Sequence, residues 1–231
     1  MQQLGLALRL PQPQTLANFI PGRNAEPLAA LRQWIAGAGA PYLALHGEPG
    51  CGKTHLLQAA CAQLQARARS LVYLSLAQAG LAPAVCEGLE VLDAVALDDV
   101  QEIAGQAPWE QTLFALFNRL QEHGGRLLIA ATRPPATIGF QLADLQSRLC
   151  SGPSFLLQPL NDLGLDDLLE QGAQARGFAL DVAARRYLLS RCPRDPASLL
   201  RLLDEIDAVS LAQGRIPTVP FLSALLGGCR A

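Results

Sequence analysis

Apolar positions come in two textures along this chain. Over the first two thirds, short apolar runs alternate with amphipathic stretches. Pro41 to His46, Ser70 to Leu76, Val95 to Leu97 and Arg126 to Ala131 read as buried strands. Between them, Glu26 to Ile35, Thr54 to Arg67 and Pro108 to Glu122 carry helical spacing, with Pro108 at the first helical position. Pro134-Pro135 stops the fourth strand, Leu142 to Leu149 predicts a short helix, and Phe155 to Leu157 a last strand. Repeated strand–helix units imply a parallel sheet covered on both faces.

From Asn161 onward nearly everything reads as helix. Asp162 and Asp195 are the expected N-caps, Pro196 the first helical residue of the longest segment, and Gly177 the stop of another. Pro196 to Gln213 places Leu199, Leu202, Leu203, Ile206 and Val209 on one face, which is core spacing. The expected organisation is an α/β domain over 15–160 and a small α-helical domain over 161–231. Residues 1–14 stand apart in front of them: Leu4, Leu6, Leu8 and Leu10 alternate until Pro11-Gln12-Pro13, as in an extended tail with a stiff hinge.

Composition narrows the function classes. Half of the 231 residues are hydrophobic and 16% are charged, enough to build a real core. Eighteen Lys and Arg against 20 Asp and Glu leave a formal charge of -2, no footprint for gripping a polyanion, so direct DNA binding is not expected. Apolar stretches break within about ten residues, short of the ~20 that cross a bilayer, and the N-terminus lacks the basic start of a signal peptide. The expectation is a soluble, cytoplasmic protein with no membrane contact. Cysteines at 51, 61, 86, 150, 192 and 229 form no CxxC pair, and His46, His55 and His123 are scattered, so neither a zinc centre nor a disulfide framework is expected.

One segment carries chemistry. Gly47-Glu48-Pro49-Gly50-Cys51-Gly52-Lys53-Thr54 follows a strand and opens a helix, the context required of the G-x-x-x-x-G-K-[ST] phosphate loop. Its glycines let successive N–H groups turn inward on one anion at the positive end of a helix. Lys53 is expected to neutralise the outer phosphates and the Thr54 hydroxyl to join a magnesium shell. Some forty-five residues on, Leu97-Asp98-Asp99 ends a buried strand with two carboxylates. Asp98 suits the metal side. Asp99 stands either as the carboxylate that orients an attacking water or as the cap of a helical start at Val100.

Gly52-Lys53-Thr54-His55-Leu56-Leu57, Asp98-Asp99-Val100-Gln101, Phe117-Asn118 and Arg133-Pro134-Pro135 together resemble the DnaA-like AAA+ family. The resemblance runs from about Thr15 to Leu226. It implies a P-loop AAA+ module with a helical lid, binding ADP or ATP with Mg2+. His55 belongs to the matched loop, and Phe19, Gly22 and Asn24 match the stretch that lies against the adenine ring in that family. DnaA reads its sites with a C-terminal helix-turn-helix domain, which this sequence does not show, so a regulator rather than an initiator is expected.

Within the family, the chain is most similar to the Hda-type regulatory inactivators, which bind the DNA polymerase III sliding clamp through a short peptide and promote hydrolysis of DnaA-bound ATP. Gln3-Leu4-Gly5-Leu6-Ala7-Leu8 looks like that peptide, with Leu4, Leu6 and Leu8 in apolar pockets and the Gln3 amide hydrogen-bonding the partner. The bare pattern also fits an edge strand folded on its own sheet. Ser147-Arg148 aligns with the family's arginine finger; read alone, Arg148 also suits a surface ion pair or a charge at a helix C-terminus.

Two departures stand out. The lid arginine of the family falls on Ala197, with Arg194 and Arg201 as nearby substitutes, and Thr132 occupies the place of an aspartate after the fourth strand, where its hydroxyl can still bond a terminal phosphate. Competing readings are a DnaC-type helicase loader, for which a 14-residue tail leaves little room, and an autonomous P-loop ATPase or kinase. Self-assembly of such a module is also open.

Overall fold

The computed structural model describes residues 14–228, so the tail residues Gln3, Leu4, Leu6 and Leu8 lie outside the described residues. Helix α1 (Ala25–Ile35) leads to β1 (Tyr42–His46), α2 (Lys53–Gln65) and β2 (Leu71–Ser75). Then come β3 (Ala94–Asp98), α3 (Ala107–Glu122), β4 (Arg126–Ala131), α4 (Ala143–Cys150) and β5 (Ser154–Leu156). Four helices follow among the described residues: α5 (Asp162–Ala175), α6 (Val182–Arg191), α7 (Pro196–Gln213) and α8 (Val219–Gly228). Among the described residues no helix is long and apolar enough to cross a membrane.

The five strands form one parallel sheet in the order β2-β3-β4-β1-β5. The inner strands β1, β3 and β4 are nearly all buried, whereas β2 and the three-residue β5 at the edges are partly open. That is why the inner strands read as unbroken apolar runs. Side chains alternate between two cores. Tyr42, Ala44, Val95, Leu97, Leu127 and Ile129 face α3 and α4, while Leu43, Leu45, Ala94, Ala96, Leu128 and Ala130 face α1 and α2. A third core, built from α5 to α8, holds Leu165, Leu169, Leu199, Leu203 and Ile206.

Several boundaries differ from expectation. Asn161, not Asp162, caps α5: its side chain accepts from the Gly164 N–H at 3.0 Å and its backbone is extended, while Asp162 is already the first helical residue. Pro108 sits one place inside α3, after Ala107. Asp195 caps α7 as expected, accepting from the Ser198 N–H at 2.9 Å. Gly177 follows α5 with φ +86°. Among the described residues five cysteines are free; Cys51 and Cys86 are buried, but Cys150 is exposed.

Candidate functional site

Inserting β4 between β1 and β3 sets three C-terminal strand ends side by side, the usual crevice for ligands in an open α/β sheet. From β1 issues the loop Gly47 to Gly52, from β3 the acidic pair, and from β4 Thr132. The loop is anchored by Gly47 N–H donating to Ala131 O at 3.2 Å. At Gly47 a side chain would begin 2.4 Å from the Leu157 carbonyl oxygen, and at Gly52, with φ +97°, 2.8 Å from Phe19 Cε2. Neither position admits a Cβ. The Pro49 to Gly50 crest is open to solvent.

Lys53 is 7% exposed, and its Nζ donates to Gly47 O at 2.7 Å and Glu48 O at 2.9 Å, with Cys51 Sγ 3.8 Å away. The ammonium is thus folded under the loop it would serve. Burial pushes the Cys51 thiol up despite the nearby ammonium, so Cys51 lines the loop as a neutral group. Burial, and then the charge of Lys53, lower the pKa of His46 at the end of β1.

Strand periodicity aims Asp98. It continues the Ala94, Ala96 register and therefore points to the α2 face, where Thr54 begins the helix. Its carboxylate is 1% exposed and fully engaged. Thr54 Oγ1 donates to Oδ2 at 2.6 Å, the Tyr73 hydroxyl to the same oxygen at 3.0 Å, and Asp99 N–H to Oδ1 at 3.0 Å. Burial and the Asp98 charge push the Tyr73 phenol well above its usual range, keeping it a donor. The sequence reading missed Tyr73; its alternate position on a strand beside β3 is the signal that could have found it.

Asp99 adopts the left-handed region, φ +58°, and stands at the N-cap position of the 3-10 turn Val100–Ile103, yet its side chain makes no cap bond. Instead the carboxylate accepts from Ser75 Oγ at 3.2 Å and from the Gln101 amide at 3.3 Å. The other end of Gln101 accepts the Thr132 N–H at 3.1 Å. Gln101, assigned no role beforehand, therefore ties Asp99 to Thr132. The pairing of Thr54 and Asp98 suits a divalent ion that keeps most of its ligands as water and phosphate.

Asn24 and His55 each make contacts within the chain that hold the segment before α1 in place. Asn24 is 1% exposed; its amide donates to Gln158 O at 2.9 Å and accepts the Gln158 N–H at 2.8 Å, pinning the segment before α1 to the connection between β5 and α5. His55 Nε2 bonds Thr15 O at 2.8 Å, and its ring meets Phe19 edge-on, centroids 5.3 Å apart. Burial lowers the His55 pKa, so the neutral ring donates through Nε2. Phe19 and Gly22 line an open cleft of about 560 Å3 together with Ile20, Arg32 and Asp167, but no loop residue from 47 to 54 borders it.

Arg148 lies in the last turn of α4, exposed, and no hydrogen bond or ion pair engages its guanidinium among the described residues. Leu145 and Leu149 bury the opposite side of that helix in the core shared with α3. In the helical bundle, Ala197 is exposed in the first turn of α7, Arg194 donates to Asp162 at 2.8 Å, and Arg201 donates to Ser198 Oγ at 3.1 Å. Each nearby arginine already has a partner within the bundle.

Two family models match the chain: the bacterial DnaA ATPase domain over residues 10–155 and the Hda lid domain over residues 164–226. Among solved structures, a replication initiator DnaA bound to AMPPCP and single-stranded DNA is 24% identical, with a TM-score of 0.71, over 89% of this chain and 66% of that one. The chain thus spans about two thirds of that initiator's length. Domain III of the Thermotoga maritima replication initiation protein DnaA is 20% identical, with a TM-score of 0.79, covering 95% and 98% of the two chains. The Thermotoga maritima RuvB Holliday junction branch migration motor is 18% identical, with a TM-score of 0.68, over 90% and 70%. At these identities the structures show the shared fold, and it is the family models that decide: the chain belongs to the bacterial DnaA ATPase family of AAA+ modules, and it carries a lid of the Hda type.

Proposed function

We propose that this protein restrains replication initiation by stimulating hydrolysis of ATP bound to DnaA while docked on the DNA polymerase III sliding clamp. Gly47, Pro49, Gly50, Cys51, Gly52, Lys53 and Thr54 would hold the phosphates of ADP or ATP, and Thr54 with Asp98 would hold Mg2+. When bound, the ion shields phosphate charge. Asp99 and Thr132, joined through Gln101, face the same crevice. The α/β unit over 15–160 would carry this site and the lid over 161–231 would close on it.

The observation that carries the reading is the guanidinium of Arg148, without a partner among the described residues, on a helix held in the core by Leu145 and Leu149. Among the described residues Arg148 makes no surface ion pair, which removes one ordinary explanation. The helix also packs on the sheet face opposite α2, the helix that begins at Lys53 and Thr54. That placement favours action in trans, where a guanidinium neutralises charge on a phosphoryl group in transfer. In well-studied GTPases such a residue is worth about 10³ to 10⁵ in rate.

Gln3, Leu4, Leu6 and Leu8 would supply the clamp contact as an extended peptide. The test measures hydrolysis of DnaA-bound ATP in the presence of DNA-loaded clamp. Arg148→Ala is expected to abolish stimulation and Arg148→Lys to restore little, because a point charge does not reproduce the planar fork. Unchanged stimulation by Arg148→Ala removes the proposal. Steady ATP turnover by the isolated chain would instead favour an autonomous ATPase.

A further inference from the structure

Glu110 is the most deeply buried carboxylate that the phosphate site does not use, at 1% exposed, and among the described residues no cation pairs with it. A buried charge in that position persists only if hydrogen bonds replace its water. Three backbone N–H groups do so. Gly105 donates to Oε1 at 2.6 Å, Leu142 to Oε2 at 2.7 Å, and Gln141 to both oxygens at 3.1 and 2.9 Å.

These donors belong to two different segments. Leu142 is the N-cap residue of α4 and has no polar side chain, and the carboxylate of a neighbouring helix holds its N–H and that of Gln141 just before it, at the positive end of α4. Gly105 closes the stretch that starts at Asp99 and runs through the 3-10 turn Val100–Ile103. An eight-residue helix has little stability of its own, and its direction depends on what grips it. Leu145 and Leu149 fix its depth in the core; the grip on its first turn fixes its tilt. Arg148 lies six residues beyond Leu142, roughly 9 Å along the axis, so a small tilt at the start displaces the guanidinium.

We propose that Glu110 is a positioning residue for Arg148: its carboxylate clamps the start of α4 to the loop that follows the acidic pair, and so aims the arginine at the partner's nucleotide. The inference rests on the assignment of Arg148 given above. Glu110 touches neither nucleotide and acts only through the helix. Gln101, which bonds both Asp99 and Thr132, lies on the same loop, so the clamp also joins the arginine's helix to the end of the chain's own phosphate site.

The test uses the full chain with Glu110→Gln, which keeps the shape but turns one acceptor into a donor facing N–H groups. Hydrolysis of ATP on the initiator with DNA-loaded clamp is titrated with each variant, and the plateau is read separately from the half-saturating concentration. ADP binding reports the folded fraction. The plateau is expected to fall about tenfold or more, as misplaced catalytic groups do, with half-saturation little changed. The double variant with Arg148→Ala should equal Arg148→Ala alone.

A role confined to folding would do the reverse, shifting half-saturation while leaving the plateau intact, and that result overturns the proposal. If Glu110→Gln does not bind ADP, Glu110→Asp, which retains the charge one methylene short, is read in the same way. Failure of both to bind ADP also counts against the proposal. Should Arg148→Ala leave stimulation unchanged, the functional assignment itself falls, whereas an Arg148→Ala that abolishes stimulation beside a fully active Glu110→Gln removes only the clamp.

Discussion

His55 shows how one side chain can report on the closure of the phosphate loop. Its Nε2 holds Thr15 and its ring holds Phe19, so the segment before α1 is fastened to the first turn of α2. Burial lowers its pKa in the folded chain below the ordinary value of about 6.5. Above that value both folded and unfolded states carry neutral imidazole and the full stability is present. Below it the unfolded chain takes up a proton that the folded chain resists, so stability falls as pH drops. His46 contributes with the same sign. Urea midpoints are expected to fall between pH 7.5 and 5.5, and His55→Gln, which keeps a donor for Thr15, should fall visibly less. Equal losses in both chains would mean that this ring does not sense pH. The phosphate loop itself was legible because eight neighbouring residues spell it. Tyr73 and Glu110 were not, since Tyr73 acts on Asp98, 25 positions away, and Glu110 joins Gly105 to Leu142, 32 positions away from it, a meeting that only the fold brings about.

Helix ends carry the second layer of stability. Asn161, Asp181 and Asp195 each accept a hydrogen bond from the N–H three residues on, opening α5, α6 and α7 in the same manner. Removing one such cap typically costs about 1 kcal/mol. Asp195→Ala is therefore expected to lower the unfolding free energy by about 1 kcal/mol, measured by urea denaturation at pH 7. The Ser198 hydrogen bonds hold the Asp195 carboxyl below its usual range. Its contribution is present above the ordinary carboxylate pKa and fades as pH falls through the depressed one, so wild type and variant should converge in acid. Element types were readable from periodicity and from Pro196. The exact first residue of α5 was not, because Asn161 and Asp162 are both capping residues and only backbone angles separate them. Strand order was equally hidden: β4 pairs with β1 and β3, and nothing local in Arg126 to Ala131 names those partners.

At the scale of the molecule, two adjacent residues join two cores. Phe19 is 8% exposed within the α1–α2 core and packs on Gly52, while Ile20 is 7% exposed within the helical bundle. Asn24 adds paired bonds to Gln158 at the passage from sheet to bundle. Movement of the bundle must therefore pull on the segment that lies against the phosphate loop. Truncating Ile20 to Ala removes a buried side chain from the bundle alone, a loss of about 2 to 5 kcal/mol for such sites. Proteins open in cooperative units, and the cost should appear in the unit that lost the contact. Hydrogen exchange in Ile20→Ala is expected to speed up across 162–213 while β1, β3 and β4 keep wild-type protection. In Phe19→Ala the increase should fall instead on 47–57, where the ring leaves Gly52 and His55. Equal acceleration of strands and bundle in Ile20→Ala would show the two cores unfolding as one unit, leaving no independent lid movement for this segment to transmit.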